Sequence, residues 1–140
     1  ARWNRYCMNW APIKNRRPWA GYIVSAVPAL FLLLDAIGKL AQPEAVVQGT
    51  VGLGYNESVI VPLGITLLIC TILYVIPQTA VLGAILLTGY LGGTVATHVR
   101  VGNPLFSHVL FGAYLGVLLW FGLYLRDTRL RSLLPFVRYQ

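Results

Sequence analysis

Four apolar segments, each close to the length needed to cross a membrane, restrict the fold of this sequence more than any other feature. They cover residues 19–40, 59–76, 79–97 and 108–125. About 20 helical residues span the roughly 30 Å of hydrocarbon in a bilayer. Because 57% of the residues are hydrophobic and only 11% are charged, a water-soluble domain of this size would expose too much apolar surface. The sequence therefore predicts an all-α integral membrane four-helix bundle with antiparallel sequential helices.

The basic residues lie mainly before the first segment and after the last one. Residues 1–18 and 126–140 form two basic tails around a transmembrane domain at residues 19–125. Positive charge at both ends of an even number of spans predicts that both termini are cytoplasmic, with some attraction to anionic headgroups. We therefore attribute the net charge of +7 to topology. Nucleic-acid binding would require the basic residues to cluster on one folded face.

Ionisable side chains gather at the ends of the spans that this topology places outside. Such groups are rare in membrane segments and are more often functional than accidental. If they converge, they form a small polar pocket covered by the first connection. Tyr90 joins them because it shares a polar stripe on the third span with Thr94 and His98. The candidate ligand-binding residues are Asp35, Lys39, Glu57, Tyr90, His98, Arg100 and His108.

Asp35 is the one carboxylate inside an apolar segment, and two interpretations of it are open. Lys39 follows four residues later, so the two side chains can form an ion pair along one face of the helix. Alternatively, Asp35 points into the bundle and meets Arg100 or a histidine, whose charge it would hold or tune. A lone charge in hydrocarbon is too costly, so the sequence predicts that Asp35 is either paired or neutral.

The connections between the spans differ in length. The first, residues 41–58, predicts a short helix that begins at Pro43–Glu44, followed by a glycine-rich turn that leads through Glu57 into the second span. The second connection consists of residues 77–79 alone. A turn this short requires the second and third spans to be antiparallel neighbours.

Small residues recur every four positions, a pattern that lets membrane helices approach closely. On the first span they are Gly21, Ser25 and Ala29. The packing residues predicted on the third and fourth spans are Gly89, Gly93, Gly112 and Gly116. Close packing of these two antiparallel spans would also bring His98 near His108.

The sequence gives little support for a metal site or for thiol chemistry. His98 and His108 are not part of a local ligand motif, so no metal is predicted. Cys7 and Cys70 do not form a CxxC motif, and the predicted topology keeps them apart. No resident cofactor is evident from these residues.

Three stretches carry a resemblance to a known family. They are GLGY at residues 52–55, AVLGAILLTGYLGGTVATHVRVGNPLFSH at residues 80–108, and LLWFGLYLRDTRLRSLLP at residues 118–135. They resemble the DoxX-like family of small bacterial membrane proteins. The resemblance implies a four-helix bundle in the bacterial inner membrane. Some relatives are similar to a membrane subunit of thiosulfate:quinone oxidoreductase, and others are linked to redox-stress complexes. This chain lacks the CxxC motif of part of the wider superfamily, so thiol transfer is not carried over.

Three functions are consistent with these features. The resemblance implies an accessory or anchoring subunit of a quinone-linked membrane redox assembly, in which the polar pocket holds a quinone or lipid-like ligand. A second function is structural, with the glycine faces binding other membrane subunits or a second copy of the chain. The third is a small enzyme for a lipophilic substrate, in which His98 or His108 is the acid–base group and Asp35 orients it. The bilayer is a partner in each.

Overall fold

The computed structural model describes residues 18–133, and most of them are helical. The helices are α1 (Pro18–Ala41), α2 (Glu44–Gly52), α3 (Ile60–Val75), α4 (Ala80–Val101), α5 (Leu110–Arg126) and α6 (Thr128–Leu133). A 3₁₀ turn, Glu57–Val59, leads into α3, and a π-helical turn, Leu105–Val109, leads into α5. The predicted N-terminal tail lies outside the described residues except for Pro18, and so do residues 134–140 of the predicted C-terminal tail.

Four segments of the described chain are long and apolar enough to cross a membrane. They are Trp19–Ala41, Glu57–Val75, Ala80–Val101 and Leu105–Arg126. The predicted spans match these segments apart from a few residues at their ends. Many large apolar side chains, such as Leu34 and Phe121, are exposed on the outside of the bundle, as expected for a surface in contact with lipid. The prediction of an all-α, multi-pass membrane bundle is confirmed.

The four long helices form a ring in which each neighbouring pair is antiparallel. Both α1 and α4 pack against α3 and α5, so that α1 and α4 occupy opposite corners. The antiparallel order is evident where α1 meets α5, because Gly21 contacts Arg126 while Phe31 contacts Phe111. We call the end of the ring that contains Asp35 the polar end, and the end that contains Arg126 the terminus end.

The core is apolar except for a small group of hydrogen-bonded polar side chains. Tyr74 is completely buried on α3. Its hydroxyl donates to the carbonyl oxygen of Leu119 on α5 at 2.7 Å and lies 3.0 Å from Ser25 Oγ on α1. One side chain therefore links three helices. In hydrocarbon such a bond is retained because no water competes for its partners.

The closest helix contacts occur at glycines. A Cβ atom added at any of four glycines would lie within 3.0 Å of an atom of a neighbouring helix. These glycines are Gly21, Gly64, Gly83 and Gly122. A Cβ at Gly112 would be 3.1 Å from Thr94 Oγ1 across the predicted contact between α4 and α5, while one at Gly116 would be 3.9 Å from Leu91 Cδ1. The prediction for Gly89 and Gly93 is wrong, because a Cβ at either position meets no atom within 4 Å. Both glycines instead face a cavity.

The ends of α4 and α5 are determined by local hydrogen bonds. Gly102 adopts a left-handed conformation, with φ 78°, which glycine accepts without steric cost. This conformation lets the Asn103 N–H donate to the His98 carbonyl at 3.1 Å and ends α4. After α5, Asp127 Oδ1 accepts the backbone N–H of Arg129 at 2.8 Å and so begins α6. Residues 128–133, predicted as part of a basic tail, are therefore helical, and Leu130 packs in the core.

Candidate functional site

A cavity of about 400 Å³ opens at the polar end of the ring. It lies between α1, α4 and α5 and extends under the connection that contains α2. Its ionisable lining side chains are those of Asp35, Lys39, Tyr55, Tyr90, His98 and His108. Five of the seven residues predicted as ligand-binding therefore line one space, which we call the polar cavity. The other two, Glu57 and Arg100, do not line it.

The cavity exists because two residues of α4 have no side chain. Gly89 and Gly93 are one helical turn apart, line the cavity and are exposed to it. Thr94 lies beside them, with its hydroxyl bonded to the Leu91 carbonyl oxygen at 2.7 Å. The four-residue spacing that predicted a helix contact has a different physical role here, because it leaves the space of the cavity open.

Asp35 forms an ion pair with Lys39 on the same helix, in agreement with the first of the two interpretations. The carboxylate side chain is 37% exposed and the lysine side chain is 15% exposed. Within residues 18–133 this is the only ion pair, so the alternative pairing of Asp35 with Arg100 or a histidine does not occur there. The opposite charges of this pair compensate each other where the two side chains line the cavity.

Replacing Asp35 by asparagine is expected to lower the free energy of unfolding by under about 1 kcal/mol, the range of partly exposed ion pairs. A thermal-melting cycle with Arg100→Gln should be additive within about 0.5 kcal/mol, because the two side chains share no partner. A coupling energy above about 1 kcal/mol would place the carboxylate against the arginine instead. Glu44→Gln, which changes an exposed carboxylate on α2, provides the control.

The two histidines lie side by side across the turn between α4 and α5. Their ring centroids are 5.9 Å apart, which confirms the proximity predicted from the sequence. His98 Nδ1 lies 2.7 Å from the Asn103 amide, and His108 Nδ1 lies 2.7 Å from Ser107 Oγ. Each ring is therefore held by a hydrogen bond at its Nδ1 atom. Neither Nε2 makes a hydrogen bond to another side chain in the described part of the molecule.

The connection after α2 covers the cavity and is held by α4. Tyr55 places its hydroxyl 2.8 Å from Thr97 Oγ1, and Arg100 donates to the Leu53 carbonyl oxygen at 2.8 Å. Gly54, with φ 86°, adopts a left-handed conformation beside the guanidinium of Arg100. Arg100, which does not line the cavity, therefore holds this connection in place through its hydrogen bond to Leu53. Glu57 is exposed at the start of the 3₁₀ turn and forms no hydrogen bond with a residue that lines the cavity.

The sequence model of the DoxX-like family matches residues 23–122, which include most of all four spans. The chain belongs to the DoxX-like family. This confirms the resemblance inferred from the sequence. No curated protein and no solved structure matches the chain.

Every residue that lines the polar cavity falls inside the part of the chain that matches the DoxX-like family. Two residues that position the cover were not predicted: Tyr55, the last residue of the GLGY stretch, and Thr97, one turn before the end of α4. The GLGY stretch carries the family resemblance, but nothing in its sequence connects the tyrosine with the third span. Only the contact between these hydroxyls, 42 positions apart, reveals their role.

In this DoxX-like bundle the lining of the polar cavity combines hydrogen-bond donors with apolar side chains. Lys39 and the imidazoles supply donors to an acceptor group, and apolar side chains including Leu32, Phe31 and Phe111 form the rest of the lining. No three His, Cys, Asp or Glu side chains of residues 18–133 are grouped closely enough to hold a metal ion.

Proposed function

We propose that this protein is an accessory or anchoring subunit of a quinone-linked redox assembly in the bacterial inner membrane, and that the polar cavity binds the quinone. The observation that carries the proposal is a cavity of about 400 Å³ whose lining is mainly apolar but includes convergent Lys39, His98 and His108 side chains. Small-molecule sites have volumes of about 300–1,000 Å³ and this mixed lining. Membership of the DoxX-like family supports the membrane location, and the redox role extends it by analogy.

A quinone matches the distribution of donors and apolar groups in the cavity. Its ring carries two carbonyl acceptors, and the nearest donors are the Lys39 ammonium and the imidazole N–H groups. Its isoprenoid tail needs an apolar path to the lipid. Phe31 and Phe111 form an edge-to-face pair with ring centroids 5.1 Å apart. Both rings line the cavity and are also exposed on the surface of the bundle, so a tail can leave the cavity beside them.

Placement of the termini completes the proposal. With both basic tails cytoplasmic, the polar end faces the outside, and the ligand ring is held near the outer surface under the cover formed by α2 and Tyr55. The acid–base alternative lacks its orienting carboxylate in the described residues, because Asp35 pairs with Lys39. We therefore assign the histidines to binding.

The proposal is tested by filling the cavity. Gly93→Leu places an isobutyl group in the space that the glycine leaves open, so we expect it to weaken binding of a short-chain ubiquinone analogue by at least about tenfold, or about 1.4 kcal/mol. Binding is measured by native mass spectrometry and by the ligand-induced shift in melting temperature of the purified protein in neutral detergent.

Gly92→Leu is the matched control. It makes the same change one residue earlier on α4, also where no atom lies within 4 Å of a new Cβ, but Gly92 does not line the polar cavity. Affinity for the quinone analogue should stay within about twofold of the parent protein. Equal loss in both variants, or no quinone binding by the parent protein, would contradict the proposed ligand.

A second candidate function, assembly with another membrane helix, is favoured by a groove on the outside of α4 and α5. The groove has a volume of about 800 Å³, is lined largely by apolar residues and includes Gly92 and Gly116. The same two variants separate the candidates. Loss of a co-purifying subunit in Gly92→Leu, with quinone binding absent throughout, would favour assembly as the function.

A further inference from the structure

Arg126, the last residue of α5, has an incompletely satisfied guanidinium at the terminus end. Its Nη2 donates to the Tyr74 carbonyl oxygen at 2.6 Å. The guanidinium carbon lies 4.7 Å from the centroid of the Tyr74 ring and 5.7 Å from that of Tyr22. Its Nε is buried and has no hydrogen-bond partner among the described residues. A buried N–H donor without an acceptor is uncommon in folded proteins.

The positive charge of Arg126 also lacks a carboxylate partner in the described part of the chain. The ion pair found there, between Asp35 and Lys39, is at the opposite end of the bundle. Asp127 is adjacent in sequence, but its Oδ1 accepts the backbone N–H groups of Arg129 and Leu130 at the start of α6. A cation at the end of a membrane span is stabilised by an anion or by water. Among the described residues the charge of Arg126 is therefore not compensated by a carboxylate.

A second cavity of about 400 Å³ lies directly against this guanidinium. The turn between α3 and α4 contributes Gln78, α1 contributes Tyr22, and the chain around α6 contributes Arg129. Asp127, whose carboxylate caps α6, also lines the cavity. The side chain of Arg129 makes no hydrogen bond to another residue within 18–133. Apolar residues, among them Leu123 and Leu130, form another part of the lining.

We propose that this second cavity binds the phosphate group of an anionic membrane lipid. Arginine is the side chain best suited to a phosphate, because its planar donors match two phosphate oxygens. Arg126 and Arg129 supply two such groups, and Gln78 supplies a neutral amide donor. The apolar lining favours a lipid over free phosphate, since the glycerol and first methylene groups need a contact that inorganic phosphate cannot make. Both arginines follow residue 122 and so lie outside the part of the chain that matches the family, whereas Gln78 lies within it.

The test measures binding of dioctanoyl phosphatidylglycerol to the purified full chain in neutral detergent by native mass spectrometry. The zwitterionic dioctanoyl phosphatidylcholine is measured in parallel. We expect the anionic lipid to bind at least about tenfold more tightly, because its headgroup has no ammonium group to compensate the negative charge of the phosphate. Inorganic phosphate is added as a competitor. Displacement only at concentrations far above that of the lipid identifies a lipid headgroup as the source, whereas displacement at equal concentration assigns the site to free phosphate.

Arg129→Gln is the decisive variant, because this side chain has no structural partner in the described residues, whereas Arg126→Gln also removes the bond to Tyr74. Arg129→Gln should weaken anionic-lipid binding about tenfold without changing the melting temperature of the lipid-free protein, and Arg129→Lys should recover part of the loss. Arg131→Gln removes the same charge two residues away, from a side chain that bonds the carbonyl oxygens of Tyr124 and Leu125 and does not line the cavity.

The site would be overturned by any of three results. They are equal binding of the anionic and zwitterionic lipids, unchanged affinity in Arg129→Gln, and equal weakening by Arg129→Gln and Arg131→Gln. The last result would indicate a diffuse basic surface. None of these measurements involves the polar cavity, so their outcome is independent of quinone binding.

Discussion

Replacing Gly83 by alanine is expected to destabilise the bundle by about 3 kcal/mol or more. At this position α4 passes α3 so closely that a Cβ would lie only 2.7 Å from the carbonyl carbon of Leu73 and still closer to the backbone of Tyr74. Overpacking a core commonly costs about 1–3 kcal/mol, and more where the surroundings cannot move. The clashing atoms here belong to the backbone of a buried helix, so a side-chain rotation cannot relieve the contact.

The same substitution at Gly92 provides the control for helix propensity. Alanine favours a helix interior by up to about 1 kcal/mol over glycine, and a Cβ at Gly92 meets no atom within 4 Å. Gly92→Ala should therefore leave the melting temperature in detergent unchanged or raise it, while Gly83→Ala lowers it sharply. Similar melting temperatures for the two variants would mean that α3 and α4 are farther apart than described.

Tyr74→Ala is expected to cost about 3–5 kcal/mol of unfolding free energy, the range for deleting a fully buried aromatic side chain. The ring is completely buried, is covered at the terminus end by Arg126 and carries the hydroxyl that links α1 and α5. Its loss leaves a cavity at the meeting point of three helices, because rigid helices cannot collapse to fill it. Tyr74→Phe should account for about 1–2 kcal/mol of the total by removing the hydroxyl alone.

Tyr114→Ala is the matched control for this second prediction. Tyr114 is the same residue type on α5, but it is 50% exposed on the outside of the bundle. Lipid replaces the lost contacts there, so the change should be under about 1 kcal/mol. Both variants are measured by reversible unfolding in mixed detergent micelles. Comparable losses for Tyr74→Ala and Tyr114→Ala would mean that Tyr74 does not occupy the centre of the ring.

The sequence predicted the parts of the fold that depend on local chemistry. Apolar length located the four spans, the Pro43–Glu44 pair located the start of α2, and the three-residue turn made α3 and α4 neighbours. The same logic predicted that His98 and His108 would meet, because both flank one short turn between antiparallel helices. Each of these features requires only the composition of a segment and the length of a connection.

The spacing of small residues did not determine which face of each helix contacts which neighbouring helix. On α4 the glycines repeat often enough to define several stripes, and their four-residue spacing predicts packing for the stripe through Gly89 and Gly93. In the structure Gly83 makes the tight contact with α3, whereas Gly93 opens the polar cavity. A glycine has no side chain, so the sequence cannot show whether the vacated space is taken by a helix or left for a ligand. Only the rotation of α4 within the ring distinguishes the two.

The contact between α1 and α5 has a consequence for biosynthesis, because it joins the first of the four described spans with the fourth. Ser25 on α1 packs against Gly122 on α5 and lies 3.0 Å from the Tyr74 hydroxyl on α3, so this face of α1 has only part of its contacts until α5 has entered the membrane. A nascent chain that stops after α4 exposes part of the Ser25 face and lacks the α5 wall of the polar cavity. The four-helix ring is therefore completed only when α5 enters the membrane.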